Sequence, residues 1–171
     1  MKKFFKTLVA LPLFVICCTS IASCSETAPA VPTGSTVSES DLTEKVQEYY
    51  DLVVKSQVIL DDYADDIYRN WYDAIYNDKF YGSIDIAIVS AENDHEDDVK
   101  FLKENDAKIE QSYKSVRDSK YAENVKSVMD AYSTYYEFVV NVSGSFTTFQ
   151  SNKETYKKQL ASELKKLHFE I

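Results

Sequence analysis

Residues 41–76 read DLTEKVQEYYDLVVKSQVILDDYADDIYRNWYDAIY, a run with neither glycine nor proline. Apolar side chains recur in it at Leu42, Val46, Tyr49, Val53, Leu60, Tyr63/Ala64, Ile67, Trp71 and Ile75, in steps of mostly three and four. That spacing gathers them on one face of an α-helix, whereas a half-buried strand would alternate residue by residue. Asp41 with Glu44 reads as a capping-box start for this helix. The stretch decides the fold because everything downstream repeats its rule.

A second stripe runs Ile84, Ile88, Ala91, His95, Val99, Leu102, Ile109, Tyr113, Val116. A third is Val125, Val128, Met129, Tyr132, Tyr135/Tyr136, Val139, and a fourth is Phe146, Phe149, Tyr156, Leu160, Leu164, Leu167. The stripes are separated by Asn77-Asp78 through Gly82, by Arg117 to Lys120, and by Ser143-Gly144-Ser145. No proline follows Pro32, and after Gly34 the only glycines are Gly82 and Gly144, each expected at a helix boundary. Proline is the commonest way to stop a helix, and all-β folds need frequent turn residues that are missing here. Ser83 to Val89 alternates like a strand, with Ile84, Ile86 and Ile88 on one parity. A lone strand has no partner, so helix is the expectation there too. Short connections favour antiparallel neighbours. The sequence therefore predicts an all-α fold: an antiparallel up-down bundle of four helices over residues 39–171.

Hydrophobic residues make up 44% of the 171 and charged residues 27%, the balance of a folded domain rather than a disordered chain. The N-terminus is organised differently. Lys2, Lys3 and Lys6 precede an apolar run from Leu8 to Cys18. That run is too short to span a bilayer as a helix, which takes about 20 residues, and it has the layout of an export signal. Ile21-Ala22-Ser23-Cys24 then resembles the bacterial lipobox. The resemblance implies cleavage before Cys24, with residues 1–23 as the lipoprotein signal peptide. It also implies a diacylglyceryl group and acyl chains such as palmitate on Cys24, since only a thiol can take the thioether. Two alternatives stand beside it: an ordinary secretory signal cut nearby with Cys24 incidental, and lipid on Cys17 or Cys18, where Val15-Ile16 crowds the cut. Residues 24–38, rich in small residues with Pro29, Pro32 and Gly34, read as a tether.

Removing residues 1–23 takes three of the 19 basic residues and none of the 28 acidic ones, which moves the net charge from −9 to −12. So acidic a surface repels nucleic acid and anionic headgroups. All three cysteines lie at or before position 24, so no disulfide holds the domain and no thiol nucleophile remains in it. His95-Glu96 invites a zinc-protease reading, but that motif needs a second histidine at position 99, which is Val99. His95 falls in phase with its apolar stripe and is expected to be partly buried and satisfied. The run Asp61-Asp62-Tyr63-Ala64-Asp65-Asp66 sets like charges at i,i+4, each pair costing a few tenths of a kcal/mol. A divalent cation would relieve that, but calcium loops need glycine-bearing turns. The run is expected to be a solvated acidic face, with Arg69 as counter-ion to Asp65, and Asn93 to Asp98 is read the same way. No metal, cofactor or catalytic residue is assigned.

Tyr68, Tyr72 and Tyr76 share an i,i+4 row beside Ile67, Trp71 and Ile75. The apolar arc is wider than one core-facing stripe requires. Either this end of the helix packs against two neighbours with hydroxyls in water, or the tyrosines form a partner-binding strip. Both readings bury Ile67, Trp71 and Ile75.

Arg69 to Tyr76 and Val140-Asn141-Val142-Ser143-Gly144-Ser145-Phe146 together resemble small uncharacterised helical lipoproteins of low-GC bacteria and their prophages. That resemblance implies a lipid-anchored, extracytoplasmic protein of the bacterial cell envelope and transfers no activity. The expected role is a non-enzymatic helical module that binds an unknown protein partner. The alternatives are a prophage-type superinfection-exclusion lipoprotein and a ligand- or cation-binding envelope protein. Cys24→Ala is expected to abolish metabolic lipid labelling and to leave the chain uncleaved or released from the membrane fraction. Lipid labelling that persists in the variant would remove the assignment.

Overall fold

The computed structural model describes residues 38–171; the signal peptide, Cys24 and the tether lie outside the described residues. Within them the chain is all-helical: α1 (Glu39–Tyr76), a 3-10 segment (Lys79–Gly82), α2 (Ile84–Asp94), α3 (Glu96–Val116), α4 (Ala122–Val140) and α5 (Phe146–Glu170). Five α-helices stand where four were expected. The stripe from Ile84 to Val116 is broken at His95, whose N–H is shared between the Ala91 and Glu92 carbonyls at 3.1 and 3.2 Å. Its backbone leaves the helical region there, at φ −113° and ψ 25°. The strand-like run Ser83 to Val89 is helical, and its N-terminus is capped by the Ser83 hydroxyl accepting from Ile86 N–H.

α1 is about 57 Å long at 1.5 Å per residue. Ser38, rather than the Asp41–Glu44 pair, opens it: its hydroxyl accepts from Asp41 N–H at 3.1 Å. Glu39 and Asp41 still lie in the first turn, where carboxylates suit the helix dipole. The helix ends at Asn77, after which Asp78, Phe80 and Tyr81 all take positive φ, from 50° to 55°. Such conformations cost on the order of 1–3 kcal/mol each for residues with a side chain. Gly82 follows at φ 68° and carries the last step of the reversal into α2. Gly144, at φ 90°, stands between α4 and α5, where Ser145 caps the new helix through Thr148 N–H.

Along α1 the buried residues are Val46, Tyr49, Val53, Ser56, Leu60, Tyr63 and Ile67, a strict alternation of three and four. That is a 3.5-residue period, the seam of helices that pack side by side. The seam continues through Ala64, Ile67, Trp71 and Ala74. Position 74 is therefore the buried one, and Ile75, expected inside, is 42% exposed. A 3.6-residue reading drifts by one position over this length; the 3.5 seam does not.

Other helices face α1 through named contacts. Tyr68 meets Gln150, Asp61 meets Lys157 and Tyr50 stacks on His168, so α5 steps backward as α1 steps forward. Tyr49 donates to the Val125 carbonyl at 3.2 Å and Tyr135 to Asp61 at 2.8 Å, so α4 steps in the same sense as α1. Asn105 of α3 donates to the Leu52 carbonyl and to Ser56 Oγ, while Asn70 donates to the Ala87 carbonyl of α2. Ile67→Ala should cost about 2–5 kcal/mol, as truncation of a fully buried aliphatic side chain does. Ile75→Ala should stay within about 0.5 kcal/mol. Paired urea melts check the seam, and equal losses at the two positions would contradict it.

Candidate functional site

The end of the molecule where α1 stops and α5 begins carries a cluster of rings. Tyr68 is half-buried; its ring stacks on Phe146 at 5.1 Å and 18°, and its hydroxyl accepts from Gln150 at 3.3 Å. Lys153 Nζ sits 4.8 Å over the same ring, within cation–π range. Tyr72 and Tyr76 lie with ring centroids 4.6 Å apart, each 6.2 Å from Phe146. They remain 42% and 61% exposed. Below them Trp71 is buried against Phe146 and Phe149. Its indole N–H finds no acceptor, an omission worth on the order of 1–3 kcal/mol. The i,i+4 row of the sequence is thus a real surface feature. Tyr68 anchors it, while Tyr72 and Tyr76 remain exposed to solvent.

Sequence reasoning missed a second group of exposed apolar side chains. Tyr81 is 95% exposed on the strained turn, and Ile84, Ile86 and Val89 of α2 are 38%, 48% and 51% exposed. The only buried residues of α2 are Ala87 and Ala91. The alternation from Ser83 to Val89 held the signal: so short a helix with four large β-branched residues cannot turn them all toward one neighbour.

His95 is a structural residue. Its Nε2 lies 3.0 Å from Asp66 and its Nδ1 2.8 Å from Asp98, with the ring 5.3 Å from Tyr63. It ties the α2–α3 break to α1. The acidic run is the solvated face expected of it at Asp62 and Asp65, which are exposed, but not at Asp61 and Asp66. Asp61 is largely covered and receives Lys157 at 3.2 Å and the Tyr135 hydroxyl. Asp65 pairs with the buried Lys153 rather than with Arg69, which pairs with Asp66 instead. The lysines that answer this run lie some ninety residues downstream, beyond the reach of any local pattern. Among the described residues no three His, Cys, Asp or Glu side chains gather as metal ligands would.

The interior holds one further polar node. Asn105 and Ser56 are buried together, and the Tyr132 hydroxyl points toward Asp106 and Ser56 without reaching good hydrogen-bond geometry. Burial raises the Asp106 carboxyl above its ordinary range; the Tyr132 hydroxyl pulls it down, and Glu110 and Glu137 push it further up. Burial likewise raises the Tyr49, Tyr132 and Tyr135 phenols, and Tyr63 to about 12. These hydroxyls stay neutral near pH 7, and those of Tyr49 and Tyr135 act as hydrogen-bond donors. A groove of about 420 Å³ runs along α2 and α3, lined by Glu92, Glu96, Val99, Lys100, Lys103 and Glu104. It is open and mixed in charge, and it brings together no nucleophile and base.

No family model, curated protein or solved structure matches this chain. What this end of the molecule offers to solvent is the exposed rings of Tyr72 and Tyr76.

Because the folded pKa of Asp106 lies above its unfolded value, its ionised form costs stability at neutral pH. The cost fades as pH falls through that raised value. Asp106→Asn should therefore raise the melting temperature at pH 7, with the advantage shrinking toward the ordinary aspartate range. Thermal melts across pH check this; an advantage independent of pH would point to packing instead of charge.

Proposed function

We propose that this protein is a non-enzymatic binding module of the bacterial envelope, held outside the cytoplasm by lipid on Cys24. Its tyrosine row, Tyr68, Tyr72 and Tyr76, takes a protein partner. The observation that carries the reading is the exposure of Tyr72 and Tyr76 beside a buried Trp71. Tyrosine gives large, rigid contact area at low entropy cost, and it is enriched where interfaces gain most of their energy.

The helices are read as four antiparallel arms, α1, α2 with α3, α4, and α5. The opposed stepping of α5 against α1 and the shared stepping of α4 with α1 support this. Such a bundle would place the tyrosine row about 50 Å along α1 from Ser38, the point where the tether joins. No described helix is long and apolar enough to cross a membrane; attachment in this reading is by lipid. Two or more acyl chains give stable anchoring, which one chain does not.

Tyr72→Ala should weaken partner capture from the protein's own envelope at least about tenfold, the loss of a central aromatic contact. Its melting temperature should change little, because Tyr72 lies at the surface. Quantitative pull-down with a parallel thermal melt checks both. Undiminished capture by the variant would eliminate the tyrosine row as the interface.

A further inference from the structure

α2 is a weak helix by length and by composition. It has 11 residues, and isolated helices shorter than about 12–15 residues are marginal in water. Ile84, Ile86, Ile88 and Val89 are β-branched, a class that loses rotamer freedom in helices. It fully buries only two alanines, with Ile88 partly buried against the core beside them, and receives one side-chain hydrogen bond, from Asn70 to the Ala87 carbonyl. Its larger apolar side chains, Ile86 and Val89, point outward as neighbours at i,i+3. At its N-terminal end the strained turn holds Tyr81 in solvent. The outer face therefore has the composition of a packed surface and lacks the element that packs on it.

The charges bordering this face select what would cover it. Asp85, Val89 and Glu92 lie in one row at i, i+4 and i+7, so acids flank the exposed valine on both sides. Neither carboxylate has a lysine or arginine within 4.0 Å among the described residues. Beyond Glu92 the face runs on into the groove with Glu96 on its wall; Lys100 and Lys103 enter only farther along, on α3. A second copy would bring Asp85 and Glu92 against their like in a chain of net charge −9, and like charges brought together at an interface are repelled. A cationic partner is drawn in by the same field.

We propose that the outer face of α2 is a docking site for a cationic amphipathic helix. The helix's apolar stripe covers Ile86 and Val89, and its lysines or arginines meet Asp85 and Glu92. This is helix-in-groove recognition, with anchors at helical spacing. It rests on α2 and the strained turn, not on the tyrosine row, which lies on the flank of α1 turned to Phe146.

The test uses the full chain in detergent and three labelled synthetic peptides of equal length: an amphipathic leucine–lysine helix, its leucine–glutamate counterpart, and a scrambled leucine–lysine peptide with no apolar face. Fluorescence anisotropy should show binding of the first only, weakening as salt rises. Val89→Glu and, separately, the surface change Asp85→Lys should each weaken it at least about tenfold, with helicity by circular dichroism unchanged. Tyr72→Ala should leave it intact. Equal binding of the scrambled peptide, or full affinity in Asp85→Lys, would overturn the proposal. So would a chain that sediments as a dimer and is dissociated by Val89→Glu, since the occupant would then be a second copy.

Discussion

A helix of 38 residues carries far more apolar surface than it can hide by itself, and α1 hides it by lending its seam to every other helix. Val46, Tyr49, Val53, Leu60 and Ile67 are fully buried, and each full burial of such a side chain contributes roughly 1.5–3 kcal/mol before entropy is counted. The remaining helices have shorter seams of their own, and all of them touch α1. What fixes their positions is the 3.5-residue period of that seam, which sets the side of α1 against which each of them packs. Moving it by one position would turn Ala74 out and Ile75 in, and with them the aromatic end of the molecule.

Charge finishes what the seam begins. The acids of α1 at positions 61, 65 and 66 crowd one another on one helix, an unfavourable arrangement alone. Lys157, Lys153 and His95 arrive from α5 and from the α2–α3 break to answer them. Lys153 is the most committed of these, with its side chain 9% exposed between Asp65 and the Tyr68 ring. Asp65 is half exposed, so the pair's net contribution is modest. Its directional effect is larger: it holds α5 at the one height where Phe146 reaches the tyrosine row.

Much of this was legible in the sequence, for a physical reason. Helix interiors exclude proline and favour a regular apolar period, so the stripes and the two glycine boundaries could be read without knowing any neighbour. Tyr68, Tyr72 and Tyr76 could be named as a row because i,i+4 spacing is local geometry. What escaped was set by distant partners or small differences of phase. His95 fits its stripe, so nothing local marks it as a break; only the carboxylates of Asp66 and Asp98 show why the chain turns there. The acidic run reads as solvent-facing until the α5 lysines are in place. Ile75 was misplaced because periods of 3.5 and 3.6 diverge only over several turns. The exposed face of α2 was hidden by the habit of assigning apolar residues to the interior.

The return of α5 to α1 also bears on how the chain comes together in time. Synthesis delivers α1 first and α5 last, so the acids at 61 and 65 emerge without the lysines that answer them, and Trp71 without Phe146 and Phe149. An N-terminal fragment ending before α5 leaves Asp61, Asp65 and Trp71 without these partners. Folding is thereby coupled to completion: the ring cluster assembles only when the last helix docks, and a nascent chain exposes its longest apolar seam until then.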